Sequence, residues 1–362
     1  MTVKGDNMTF FTIVLAILAF CLMIIIHEMG HFFAAKACGM KVSEFSLGMG
    51  PRLFKIQGKE TLYTVKLLPL GGSVQLGEDE ESDDPRSFRN KPVWQRMIVL
   101  AAGPVMNLVL GVIICAVVII ISGIVITPEI AKFGGDNPVS SEYLQEGDEI
   151  ISINGHSIWS SMDISYALQN KAMKADENEK FISYSFKVKR DGETITLDDV
   201  RFAAVSSERG NSVSVDFIVR AYKINFGNLF AYSFKEAASY GRLVWISLID
   251  LVSGTYGLND LSGPVGTVSV ITQTTTSGAN FKENAVNFLS MVAFITINLG
   301  IMNLLPIPAL DGSRIIFLVI ELIRRRPIKP EHEGIVHFIG FAALMLLMLV
   351  ITFNDIIKLV TG

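Results

Sequence analysis

Across 362 residues, 31 Lys and Arg stand against 35 Asp and Glu, a net charge of -4 that excludes the basic footprint of a nucleic-acid binder. Half of the residues are hydrophobic, only 18% are charged, and mean hydropathy is +0.44; soluble domains carry about 25% charged residues, so the chain is expected to be partly embedded in a lipid bilayer. Cys21, Cys38 and Cys115 lie in or beside apolar runs without pairing or ligand spacing, which argues against a disulfide framework and a thiolate zinc site.

The first apolar run, Phe10 to Ile26 (FFTIVLAILAFCLMIII), has no formal charge and leads straight into His27-Glu28-Met29-Gly30-His31. Carried on through Ala37, it predicts a first transmembrane helix over 9–37. The apolar stretch is too long for a cleavable signal peptide, and no small-x-small site follows it. On a helix, residues 27 and 31 lie one turn apart on one face, so both imidazoles reach one metal ion. Glu28, one position round, is placed to address a water rather than the metal. Ionisable groups are expensive inside a membrane span, and that cost marks this triad as a functional site.

Residues 38–94 form a polar connection in which 44–74 shows period-2 stretches punctuated by Gly and Pro, predicting short strands and hairpins. The acidic run at 78–84 reads as a solvated loop; a metal-binding role would need the alternating ligands and Gly of a calcium loop, which it lacks. A second span is predicted over 95–124. Residues 125–215 form a compact β-rich region with a hairpin signal at Arg190-Asp191-Gly192-Glu193. Within 216–285, the stretch 228–253 repeats apolar positions at helical spacing. It reads as an amphipathic helix on the membrane surface, with a fifth span as the competing reading; Lys235, Glu236, Arg242 and Asp250 argue against the span.

The third span, 286–322, is interrupted at NLLPIPALDG (303–312). Pro306 and Pro308 stop the backbone ladder, and Gly312 lets the chain re-enter a helix. Asp311 is an acid inside that break. Alone it could cap a helix; with HEMGH in the same membrane it is favoured as the third metal ligand, since a catalytic zinc takes three protein ligands and leaves a position open. His156 lies in the outer region, and His332 and His337, five apart, cannot share a metal on one helix. A fourth span covers 335–358. Lys and Arg concentrate in 38–94 and at Arg324, Arg325, Arg326 and Lys329, so both short connections are expected in the cytosol, both termini outside, and HEMGH near the cytoplasmic leaflet.

HEMGH in the first span, GMGP (48–51) in a β-rich loop, NLLPIPALDG in a later span and LSGPVG at 261–266 resemble the site-2 protease family, in its bacterial regulator of sigma-E protease branch. The resemblance covers nearly the whole chain. It implies a polytopic α-helical membrane protein with four transmembrane helices, a membrane-associated β-rich loop and one extracytoplasmic PDZ-like α+β domain, seated in a bacterial cytoplasmic membrane. It implies that His27, His31 and Asp311 hold Zn2+ and that Glu28 is the catalytic acid/base. Asn303, Pro306 and Pro308 match the segment that lines the substrate groove, and Gly48, Met49 and Gly50 match the membrane-reentrant loop. Asn303 has a second reading, a helix–helix hydrogen bond. The implied partners are single-span membrane proteins such as anti-sigma factors or remnant signal peptides. The chain has room for one PDZ-like unit where some relatives carry two, and 125–146 shows no clear peptide-binding loop. The outer domain is therefore read as a filter that excludes large ectodomains rather than a peptide binder. Other classes are a catalytically dead membrane scaffold, a membrane-anchored zincin that degrades soluble chains, and a metal transporter.

Overall fold

The computed structural model describes residues 3–77, 84–134, 138–175, 179–207, 210–254, 263–276 and 278–361. The acidic run at 78–83 and the start of LSGPVG at 261–262 lie outside the described residues. The chain divides into two compact units, one of Met1–Ile114 with Ser247–Gly362 and one of Cys115–Ile246.

The first unit is mostly helical, with one two-stranded sheet. Its helices are α1 (Val3–Ala37), α2 (Val93–Ser122, continuing beyond the unit), α5 (Pro264–Thr276), α6 (Phe281–Leu304), α7 (Asp311–Arg324) and α8 (Pro330–Thr361). Four stretches are long and apolar enough to cross a membrane: Thr12–Ala37, Val93–Ser122, Phe281–Leu304 and Glu331–Ile357. In lipid, helices associate where small residues let backbones approach. That is the device here: a Cβ on Gly30 would come within 2.4 Å of the Ala102 carbonyl oxygen of α2, so α1 and α2 meet at backbone distance. Ala35, Met40, Val42, Phe88, Val99 and Leu318 bury one another and tie the end of α1 to α2 and α7. Arg96 of α2 adds a two-pronged pair to Glu321 of α7, at 2.5 and 3.1 Å.

Strands β1 (Glu44–Gln57) and β2 (Leu62–Gln75) each bend at glycine, so that two long strands make four ribbons. Segment 44–47 runs in the middle, parallel to 62–65 and antiparallel to 72–75, and 54–57 pairs antiparallel with 62–65. The bend of β1 sits at Gly48 and Gly50, whose φ of +83° and +89° L side chains rarely adopt. Inside the ribbon, Glu44 is 4% exposed and takes hydrogen bonds from Thr64 and Arg52. Outside, Met49, Leu53, Phe54, Ile56 and Leu67 are exposed, an apolar surface suited to lipid or to an apolar chain.

The second unit holds β3 (Ile124–Phe133), β4 (Glu149–Ile153), β5 (His156–Ser157), α3 (Ser161–Ala172), β6 (Phe181–Arg190), β7 (Glu193–Ser207), β8 (Gly210–Ser214), β9 (Phe217–Lys223) and the start of α4 (Phe226–Val252). The sheet runs in the order β8-β7-β6-β4-β3-β9 with β5 on β4, and all its pairings are antiparallel. Ile130, Ile150, Leu168, Tyr184, Phe186 and Phe202 form its core. The Asp191-Gly192 turn closes the β6–β7 hairpin with positive φ at both residues. The domain does not end at 215 as the sequence spacing suggests. Phe217–Lys223 pairs with β3 as β9, because its alternation (FIVRAYK) buries Phe217 against the core. Asp163 accepts the Trp159 and Ser160 amides at the start of α3 and pairs with Arg242 of α4 at 2.5 Å. Of residues 228–253, all but the last fall in α4, which is not among the four membrane-crossing stretches. Ser233, Ala237 and Tyr240 are buried, while Phe226, Phe230 and Phe234 are exposed.

Candidate metal centre

Helix α1 delivers His27 and His31 one turn apart, as the spacing requires. The third group arrives from 284 residues away: His27 Nε2 lies 3.1 Å from Asp311 Oδ2, and His31 Nε2 lies 3.4 Å from the same oxygen. The two imidazole nitrogens are 3.2 Å apart. Among the described residues, these three are the His, Cys, Asp or Glu cluster able to hold a metal ion. The spacing fits one. With zinc–ligand bonds of about 2.0–2.1 Å, the edge of a tetrahedron is about 3.3–3.4 Å. Two nitrogens and one carboxylate oxygen also form a set zinc accepts, with the fourth position left for water or substrate.

Neighbouring backbone decides which lone pairs are free. His31 Nδ1 lies 2.8 Å from the Val99 carbonyl oxygen of α2, which can only accept, so Nδ1 carries the proton and Nε2 is left for a ligand. His31 fits there because α2 has Gly103 at that level: a Cβ would sit 2.3 Å from Nε2. The Asn107 amide, fully buried, lies 3.3 Å from His27 Nδ1, and its Oδ1 is buried without a hydrogen bond. With the amide turned over, Oδ1 accepts from His27 Nδ1–H, which satisfies the orphaned oxygen and frees Nε2 of His27.

Asp311 opens α7, yet its carboxylate does not cap it; Leu310 occupies the cap position, and the carboxylate points to the histidines. The loop before it turns through Ala309, a non-glycine residue at φ +77°. Glu28 is half-buried, and its Cγ lies where a Cβ on Gly72 would fall within 2.5 Å, so edge segment 72–75 of the ribbon passes directly over this side chain. Asn303 sits one residue before the end of α6, half-buried, and its side chain makes no hydrogen bond to a described residue. Pro306 and Pro308 lie in the break between α6 and α7, and Gly48, Met49 and Gly50 lie at the bend of β1. A cleft of about 850 Å³ reaches Asp311 and is lined by Arg89, Arg96, Arg314, Lys329 and His337.

Sequence reasoning did not single out Asn107, the Val99 carbonyl or Gly72. Asn107 had a signal, as an amide inside the otherwise apolar run 97–121 of α2. A backbone carbonyl has none.

Paired helical histidines and a carboxylate among apolar helices make a ligand set that zinc accepts, of the kind a metallohydrolase uses. The profile of Peptidase family M50 matches residues 15–347, and the chain belongs to that family, the site-2 proteases. It is similar to a zinc-metalloprotease homologue of Clostridium acetobutylicum, 37% identical over 355 residues, 97% of this chain and 98% of that one. It is similar to the regulator of sigma-W protease RasP of Bacillus subtilis, 31% identical over an alignment of 431 residues, 96% of this chain and 99% of that one. The zinc metalloprotease RasP of Bacillus licheniformis is likewise 31% identical, over 439 residues with 96% and 99% coverage. The two RasP alignments are longer than this chain, so those relatives carry inserted residues. The protein is therefore a zinc metalloendopeptidase of the site-2 type, a multi-pass membrane protein with Zn2+ as its cofactor.

Proposed function

We propose that the protein cleaves single-span membrane proteins within their transmembrane segments, with zinc held by His27, His31 and Asp311 and with Glu28 as acid/base. The observation that carries this reading is the triangle of 3.1, 3.2 and 3.4 Å made by ligand atoms from α1 and α7. Zinc, when bound, supplies Lewis-acid activation of the scissile carbonyl and of a water. Glu28 takes the proton of the attacking water and later delivers one to the leaving amide nitrogen. Val99 and Asn107 hold the two imidazoles with Nε2 facing inward. A helical substrate shields its amides, so cleavage needs an extended segment. The edge segment 72–75, next to Glu28, offers main-chain pairing for one. Asn303, with no partner of its own among the described residues, binds the freed amides and carbonyls beside Pro306 and Pro308. The apolar bend at Gly48, Met49 and Gly50 dips into the bilayer and presents the strand.

The Lys and Arg concentrated in 38–94 and at 324–329 support an active site near the cytoplasmic leaflet, with both termini outside. The PDZ-like domain, one unit of 125–223, filters substrates by the size of their ectodomain. Anti-sigma factors and remnant signal peptides fit that requirement. The test is a co-expressed single-span substrate with a short ectodomain. Wild type should cleave it within the span, and Glu28→Gln should bind zinc without cleaving. Cleavage by Glu28→Gln at the wild-type rate would overturn the assignment. Equal cleavage after a large folded ectodomain is added to the substrate would overturn the filter.

A further inference from the structure

The loop that delivers Asp311 directly follows the third membrane-crossing helix, and each of its backbone N–H groups needs an acceptor in the protein or water. Between Leu305 and Leu310 there are four N–H groups, because Pro306 and Pro308 have none. The Leu305 amide donates to the Met302 carbonyl, Ile307 to Leu305, and Leu310 to Ile307. The fourth, Ala309, donates outside the loop, to His337 Nδ1 of α8 at 3.1 Å. Ala309 is also the residue held at φ +77°, so the one side-chain acceptor in the loop sits at its most strained point.

The same face of α8 touches both flanks of Asp311. Gly340, three residues after His337, lies so close to the loop that a Cβ would fall 2.1 Å from Pro308 Cβ. On the other flank, the His337 ring packs edge-on to Phe317 at 5.8 Å, and Glu333 meets Arg314 of α7 at 3.5 Å. Pro308 and Ala309 before the ligand, and Arg314 and Phe317 after it, are thus all braced by one helix that contributes no ligand.

From this geometry we infer that His337 is a positioning residue for the Asp311 ligand: as hydrogen-bond acceptor for Ala309 N–H it holds the loop in the turn that aims the carboxylate at His27 and His31. The inference rests on Asp311 as a zinc ligand. A partner that orients a ligand changes metal affinity by about 10–100-fold when removed, and His337 acts one step further out, so about tenfold is expected.

The experiment is chelator competition for zinc on the full chain in detergent, for wild type, His337→Leu, His337→Asn and Asp311→Ala. Asn keeps an acceptor where Nδ1 stood; Leu keeps the bulk and loses it. His337→Leu should bind zinc about tenfold more weakly, with cleavage restored by excess zinc, and His337→Asn should match wild type. Restoration by zinc separates positioning from a packing defect, which added metal would not repair. Wild-type affinity in His337→Leu, with zinc lost in Asp311→Ala, overturns the inference and leaves the ligand assignment standing. Equal weakening in the Leu and Asn variants overturns the hydrogen-bond role. Wild-type zinc in Asp311→Ala overturns the ligand assignment and the inference with it. If His337→Leu does not purify folded, Gly340→Ala carries the test, because it pushes Pro308 without touching the imidazole; undiminished zinc affinity there overturns the brace.

Discussion

Replacing Gly103 with alanine tests the geometry of the metal centre without touching a ligand. The new Cβ would stand 2.3 Å from His31 Nε2 and 2.7 Å from Cε1, and ordinary contact begins at 3.4 Å. The imidazole or helix α2 must therefore retreat by about 1 Å. Moving α2 as a whole is resisted at Gly30, where α1 already lies at backbone distance from Ala102. Metal sites hold their bond lengths within about 0.2 Å, so a displacement several times larger takes Nε2 out of the coordination shell. A misplacement of about 1 Å costs on the order of hundredfold in rate, and zinc affinity should fall with it. The assay is zinc content and cleavage of a single-span substrate by Gly103→Ala, with thermal unfolding to establish that the variant is folded. Gly334→Ala on α8 is the control, since a Cβ there meets nothing within 4 Å. A folded Gly103→Ala with full zinc and wild-type turnover would refute the placement of His31 against α2.

Two further outcomes follow from neighbouring groups. Asn107→Leu should weaken zinc binding by about 10–100-fold in chelator competition, whereas Asn107→Asp keeps the acceptor for His27 Nδ1 and should retain it; identical affinities for the two would sink the role given to Oδ1. In the second unit, burial lifts the Glu236 carboxyl from 4.5 to about 7, nearby Asp163 adds to the rise, and a hydrogen bond with Tyr240 opposes it. From about pH 4.5 to 7 the unfolded chain gives up a proton that the folded chain keeps, so stability falls as pH rises through that window, by up to about 3 kcal/mol. Glu236→Gln removes that loss. Its unfolding temperature should exceed that of wild type at pH 8 and match it at pH 4, and a gap independent of pH would count against the buried carboxyl.

Much of this was written in local pattern. The membrane-crossing runs declare themselves because a span of lipid tolerates few charges, and His27, Glu28 and His31 can be read together because helical periodicity alone puts 27 and 31 on one face. The period-2 pattern and glycine punctuation of 44–74 announced short strands and hairpins, where the structure forms two 14-residue strands that bend at glycine; Asp191-Gly192 announced its hairpin. The limits of the β-rich second unit were less legible: Phe217–Lys223 has the alternation of a strand, but only pairing with β3, far back in the chain, makes it part of that sheet.

Sequence alone therefore determined the kind of protein and pointed to most of the candidate ligands, since burying ionisable side chains in an apolar run costs enough to mark them. Tertiary structure decided how those residues are held. Val99 presents a carbonyl, Gly103 an absence of side chain, and Asn107 an amide, each meaningful only because α2 packs on α1. Asp311 could have capped α7 on sequence grounds, and the loop geometry turns it to the histidines instead. His337, which spacing excludes as a co-ligand of His332, meets Ala309 across the bundle. Contacts of this sort join residues tens to hundreds of positions apart, and no local period records which helix faces which.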